Sequence, residues 1–230
     1  MNVPGIGSVR SAWHHLDYIP SVPRRVAVMG EWGLRKFEDR IIDGTYRRQG
    51  LDTSGPAFGR SHDPGESRGY VATDWRVLRK LFPPGTLGAD DVVLELGSGK
   101  GRVAIWVASR FSVRRVIGVE LDEEHVATAR ANLQRWRGPR QCTDVVFTCS
   151  DAQEFDVPDD VTVVYLFNPF MGDAFARSVE RISESLARKP RPLRIIYFYP
   201  IMHDRLVEAG FRLDTMHRHP LYAWATYRVG

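Results

Sequence analysis

The chain has 230 residues, 43% of them apolar, which is ample for one large domain or for a core of about 150–200 residues with an extension. The net charge is +4, but it is carried by 28 arginines and only 4 lysines, scattered without a long basic block or interleaved aromatics, so composition argues against a nucleic-acid face. No run approaches the ~18 apolar residues of a membrane span. Residues 1–13 hold no apolar stretch of the secretory type. Cys142 and Cys149 lack metal-like spacing, and Cys149, at the end of an apolar run, reads as a buried thiol. A protein of the reducing cytoplasm is expected, with no metal site.

Residues 1–70 differ from the rest, being rich in Pro, Gly and Arg and poor in strand signals. Leu34, Phe37 and Ile41, at i, i+3 and i+7, predict an amphipathic helix from Glu31 to Asp43. A turn-rich connector follows from Gly50 to Gly69, with Gly55-Pro56 and Asp63-Pro64. Irregular connections of that length are often functional lids. Trp13, His14, His15, Tyr18 and Trp32 are costly side chains for a mere tail. The segment 1–70 therefore reads as an extension or lid over an acceptor site, with 71–230 as the core.

Asp74 is placed to cap a helix carrying Val77, Leu78, Leu81 and Phe82, which Pro83-Pro84 stops. From Val92 a regular alternation begins. Strands are predicted at 92–96, 115–121, 144–149, 162–167 and 192–199, with helices at 101–110, 123–136 and 173–188 between them. Phe175, Val179, Ile182 and Leu186 make one core-facing stripe on the last of these helices. Unbroken apolar strands alternating with helices mean an α/β fold, a doubly wound, mostly parallel sheet covered on both faces. A short helix (203–209) and two strands, 211–218 and 222–229, close the chain.

The organising stretch is Val92 to Arg102, V-V-L-E-L-G-S-G-K-G-R. A buried strand ends in Glu95 and turns through Gly97, Ser98, Gly99 and Gly101 into a helix. This order places a helix N-terminus, with its unpaired N–H groups, over the end of a sheet. The dinucleotide pattern G-x-G-x-x-G fails, because the sixth position from Gly97 is Arg102. The P-loop pattern fails too, because Gly99-Lys100 is followed by Gly101 rather than Ser or Thr.

What remains, E-x-G-x-G-x-G, resembles the first motif of the class I (seven-strand, Rossmann-like) S-adenosylmethionine-dependent methyltransferases. The closing pair of strands is similar to the way that family's sheet ends, which implies seven strands with an antiparallel last one. The family's cofactor is S-adenosyl-L-methionine, and the resemblance implies its contacts at successive strand ends. Glu120, about 25 residues beyond Glu95, would accept from the ribose hydroxyls, and Leu121 would lie against the adenine. Asp151 would accept the adenine amino group, and the N–H of Ala152 would reach a ring nitrogen. Asn168-Pro169-Phe170 is similar to the N-P-P-[YF] motif of enzymes that methylate planar nitrogen, although the second proline is absent. There Asn168 would orient the acceptor and line the cofactor. Tyr70-Val71-Ala72-Thr73-Asp74 resembles the loop that closes over the methionine part of the cofactor in non-SET histone lysine methyltransferases, which adds Tyr70 and Thr73 to the cofactor site and makes Tyr70 a catalytic candidate.

The cofactor brings an activated methyl group, so the protein has chiefly to align an acceptor lone pair and exclude water. Candidate bases, should the acceptor need one, are Tyr70, Tyr197, Tyr199, His203, His14 and His15. The leading expectation is transfer to a nitrogen or oxygen of a small molecule under a cap. A protein or RNA methyltransferase with an open site is the alternative, and an inactive cofactor-binding module is a third.

Overall fold

Strands that read as unbroken apolar runs occupy the middle of the sheet, and those with mixed sequence lie at its edges. The computed structural model of the protein describes residues 22–54, 70–168 and 170–229. The strands are β1 (Val92–Leu96), β2 (Arg115–Glu120), β3 (Val145–Cys149), β4 (Val163–Phe167), β5 (Arg194–Phe198), β6 (Phe211–His219) and β7 (Tyr222–Val229). They form one seven-stranded sheet in the order β3-β2-β1-β4-β5-β7-β6. The first five are parallel, and β7 runs antiparallel between β5 and β6. β1, buried at every position, sits where the strand order reverses. In an open α/β sheet that reversal leaves a crevice at the carboxyl ends of the two flanking strands, here β1 and β4.

The helices are α1 (Val22–Arg48), α2 (Trp75–Leu81), α3 (Arg102–Arg110), α4 (Glu123–Arg135), α5 (Gly172–Arg188) and α6 (His203–Glu208). One face of the sheet packs with Trp75, Phe82, Trp106 and Tyr165, under α2 and α3. The other packs with Phe175, Ile182 and Leu206, from α5 and α6. Predicted and observed boundaries from Val92 onward differ by one or two residues, because burial on both faces leaves these segments little choice of conformation. No helix among the described residues is long and apolar enough to cross a membrane.

Three local expectations are corrected. Asp74 stands at the N-cap of α2, but its carboxylate takes the Lys36 ammonium at 3.3 Å. The Trp75 N–H instead donates to Asp39 on α1, at 2.7 Å. Cys149 is exposed, because β3 is an edge strand and the residue faces outward, whereas Cys142 is the buried thiol. The third concerns α1. An amphipathic helix ordinarily buries its apolar stripe, yet Leu34, Phe37 and Ile41 are 65%, 61% and 57% exposed. The inward face carries Asp39 and Asp43, drawn there by Trp75 and by the buried guanidinium of Arg102. Two charge-assisted bonds to buried partners outweigh the apolar stripe in setting how this helix is turned.

The C-terminal end of α1 is part of the core. Tyr46 stacks on Trp75 with ring centroids 4.0 Å apart, and Leu51 is buried. The fully buried Asn132 amide accepts from the Asp52 N–H at 3.1 Å, and donates to the carbonyls of Asp52 (2.8 Å) and Lys100 (3.0 Å). Trp13, His14, His15, Tyr18 and most of the 50–69 connector lie outside the described residues.

Candidate active site

The loop between β1 and α3 is held to β2: the N–H groups of Gly97 and Ser98 both donate to the Val119 carbonyl, at 2.8 and 2.9 Å. Gly99 and Gly101 have φ of +51° and +81°, a conformation that side chains disfavour. A Cβ on Gly99 would come within 2.5 Å of the Tyr70 ring, and one on Gly101 within 2.6 Å of Phe147. These two glycines therefore serve close packing of the protein on itself as well as ligand approach.

Glu120 reaches from the end of β2 to the loop. One carboxylate oxygen accepts from the Gly99 N–H at 2.7 Å and the other from the Asp122 N–H at 3.0 Å. Asp122 in turn caps α4, accepting from the His125 N–H. Leu121 is half-exposed at the same strand end, beside the Cys149 sulfur. Beyond β3, Asp151 accepts from the Gln153 N–H at 2.8 Å, and Ala152 is buried against the sheet. Glu120, Leu121, Asp151 and Ala152 thus share one rim, formed by the ends of the adjacent strands β2 and β3.

Glu95 sits deeper than a ligand contact requires. It is buried in β1 between Gly118 and Tyr165, and accepts from the Ala104 N–H in the first turn of α3 at 3.1 Å. Burial pushes its carboxyl well above the usual range, against the Ala104 bond and with help from the Glu120 charge. It fixes the helix that carries the loop, from below.

Tyr70 and Thr73 separate. Tyr70 lies over Gly99, with the Lys100 ammonium 5.0 Å from its ring centroid, and its hydroxyl donates to the Thr53 carbonyl at 2.8 Å. Burial raises the phenol's pKa, which favours its protonated form, and the ring covers the loop. Thr73 turns into the core, where its hydroxyl meets the Tyr165 hydroxyl at 2.9 Å. The other described base candidates are also engaged. Tyr197 accepts from the Met202 N–H, Tyr199 donates to the Leu221 carbonyl, and His203 Nδ1 meets the Tyr227 hydroxyl. His14 and His15 lie outside the described residues.

The β4 side is different. Asn168 follows β4 with φ of +42°, is buried, and its Oδ1 has no hydrogen-bond partner among the described residues. Ser98 Oγ, just past β1 and beside Gly118 of β2, is buried and also lacks a partner among the described residues. A buried polar atom left unpaired costs ~1–3 kcal/mol, so each of these two oxygens calls for a partner beyond the described residues, of which a ligand at the strand ends is one candidate. Carboxylates and the Ser98 hydroxyl on the β2 and β3 side, with the Asn168 oxygen at the end of β4, fit a nucleoside with a charged tail.

Sequence reasoning missed Arg102, which it used only to reject a motif. The side chain is buried, donates to Thr53 Oγ1 (2.8 Å), the Thr73 carbonyl (3.1 Å) and Asp43 (2.8 Å), and stacks on Trp75. It thereby ties α1 and both strap segments, 51–54 and 70–74, to the helix that begins at the glycine loop. Its acidic partners lie far upstream, so no local spacing announces it.

A family model described as a methyltransferase domain matches residues 93–189, the span that carries this rim and switch. That match, together with the seven-stranded sheet and its strand order, supports a class I S-adenosylmethionine-dependent methyltransferase. The cofactor of this family is S-adenosylmethionine, and the residues present fit it. Solved structures with the same fold include a precorrin 8W decarboxylase of Methanobacterium thermoautotrophicum, 21% identical with a TM-score of 0.52, covering 70% of this chain and 92% of that one. An S-adenosylmethionine-dependent methyltransferase of Mesorhizobium loti is 16% identical with a TM-score of 0.52, covering 68% and 98%. At such identities the likeness speaks for the fold alone. A protein-lysine N-methyltransferase of Saccharolobus islandicus (strain REY15A) is 36% identical over 66 residues, 29% of this chain. The chain matches 41% of the length of that curated relative.

Proposed function

We propose that this methyltransferase moves the methyl group of S-adenosylmethionine to an amine nitrogen, with the lysine side chain of a protein as the acceptor. The observation that carries the reading is the buried, partnerless Oδ1 of Asn168 beside the switch point. It offers a hydrogen-bond acceptor to an N–H of the incoming group, which leaves the nitrogen lone pair free to aim elsewhere. The cofactor supplies an activated methyl when bound. Glu120, Asp151 and the glycine loop hold its adenosine, and Tyr70 shields the loop from water.

An amine suits the site better than a hydroxyl. Every described candidate base is committed to a structural bond. An alcohol would need such a base, whereas an ammonium can give its proton to solvent before transfer. Turnover should then rise about tenfold per pH unit from pH 7 to 9, as the fraction of free amine grows. The name of the Saccharolobus relative is consistent with a lysine acceptor. A small-molecule acceptor, the leading expectation from sequence, is the second reading. It is favoured by the clamp that α1 and residues 51–54 place beside the glycine loop.

Mass spectrometry of a protein and metabolite extract, incubated with enzyme and cofactor, decides between them. Methylated lysines support the first reading, and methylated metabolites alone support the second. Asn168→Ala should lower turnover at least a hundredfold while cofactor affinity stays within about threefold, since the interaction matters mainly in transfer. Equal losses of both would make Asn168 part of the cofactor wall.

A further inference from the structure

Four aromatic rings stand in register across the four strands on the acceptor side of the switch. Phe167 on β4 pairs with Phe198 on β5, Phe198 with Trp224 on β7, and Trp224 with His217 on β6. Residues opposite one another on neighbouring strands project from the same face of a sheet. The contacts follow: 4.7 Å between the Phe167 and Phe198 centroids, and 3.9 Å with a 20° interplanar angle between His217 and Trp224. Tyr222 and His219 form a second, shorter row beside it, 4.4 Å apart and nearly parallel. The rings open towards the sheet edge: Phe198 is buried, Phe167 and Trp224 are half-buried, and His217 is exposed.

The row begins at the residue preceding Asn168. In the second row the protein's own Lys80, from α2, donates to the hydroxyl of the buried Tyr222. Its ammonium lies 4.9 Å from that ring's centroid, so aromatic rings on this face of the sheet do accept a cation. The electron-rich faces of stacked aromatics attract cations, by a few-fold to tens-fold in affinity per contact. With strands about 4.8 Å apart, Phe167 to His217 spans roughly 14 Å. An extended peptide covers that distance with about four residues, whereas a small amine would reach only the first ring.

We propose that Phe167, Trp224 and His217 form a subsite that binds an extended, lysine-rich segment of the acceptor protein, with the target lysine at Asn168 and its neighbours along the rings. This rests on the amine reading above and names what that acceptor presents around its target.

The experiment compares the full-length wild type with Trp224→Ala and His217→Ala on two probes, N-acetyl deca-lysine amide and Nα-acetyllysine methylamide, with cofactor affinity measured by calorimetry. The wild type should show kcat/KM at least tenfold higher per lysine on the decapeptide. Trp224→Ala should raise the decapeptide KM about tenfold and His217→Ala about threefold, with the cofactor dissociation constant within twofold of wild type. His217 is exposed on an edge strand, so its variant decides the matter if Trp224→Ala fails to fold. Equal kcat/KM on the two probes, or an unchanged decapeptide KM in the variants, overturns the subsite and leaves the amine reading standing. Wild type that methylates neither probe overturns both.

Discussion

The two flanks of β1 handle their polar groups in opposite ways. On the β2 flank most groups are tied, the Ser98 hydroxyl excepted: Glu120 to the Gly99 and Asp122 N–H groups, Tyr70 to Thr53, Arg102 to Asp43, Thr53 and Thr73. On the β4 flank Asn168 Oδ1 is buried with no hydrogen-bond partner among the described residues, and Asn168 is left-handed. The first flank is held by bonds within the protein, and groups held in place in this way lower the entropic cost of binding. The second holds unused hydrogen-bonding capacity and backbone strain, the usual mark of a place where chemistry is done. On the proposed function these would be a binding end and a reacting end, on either side of one strand.

The largest test of the tied flank is Arg102→Met. It should cost ~3–5 kcal/mol, because Asp39, Asp43 and two strap groups lose a buried partner. A fall of about 10 °C in thermal midpoint is expected by calorimetry, and a midpoint within ~2 °C of wild type would show that the clamp is incidental. Glu120→Ala should come next. The folded variant should bind cofactor ten- to a hundredfold more weakly, ~1.5–3 kcal/mol, through loss of a charged acceptor. Unchanged affinity would remove Glu120 from the ribose site.

A smaller effect is expected at Glu95. Its folded-state pKa is raised by burial, so the stabilisation its protonated form gives is complete below the ordinary carboxyl pKa, about 4.3, and is lost as pH rises towards the folded value. Glu95→Gln keeps an acceptor for the Ala104 N–H but cannot ionise. Its stability, followed by urea titration, should therefore fall less steeply with pH than that of wild type, by up to ~1.4 kcal/mol per unit above pH 4.5. Parallel pH profiles would mean that Glu95 does not contribute. The smallest change in stability belongs to the untied flank. Asn168→Gly removes an unbonded oxygen and suits φ of +42°, so the variant should be as stable as wild type or ~0.5–1 kcal/mol more so, while turnover collapses. A marked loss of stability would show that Asn168 belongs to the fold.

Most of the sheet was legible because burial on both faces imprints itself on five-residue windows. Val-Val-Leu-Glu-Leu and Val-Val-Tyr-Leu-Phe can do little else but sit in the middle of a parallel sheet. The strand-end residues Glu120, Asp151 and Asn168 were legible for the same reason, since each is placed by the strand before it. The α1 orientation was not. Helical spacing reports that Leu34, Phe37 and Ile41 share a face, and only the position of Arg102, 59 residues from Asp43, decides that this face turns to solvent.

The sequence by itself determined the alternation of elements, the glycine turn and the rim of acids, because these depend on local periodicity and on backbone conformations that few residues adopt. Tertiary structure decided which groups remain free. Tyr70 and Thr73 lie three residues apart, yet one covers the loop and the other bonds Tyr165 in the core. Glu95 and Glu120 are both strand acids, yet one is sealed under α3 and the other faces the rim. Whether a polar side chain is tied or available depends on partners brought together from distant parts of the chain, and no local pattern records them.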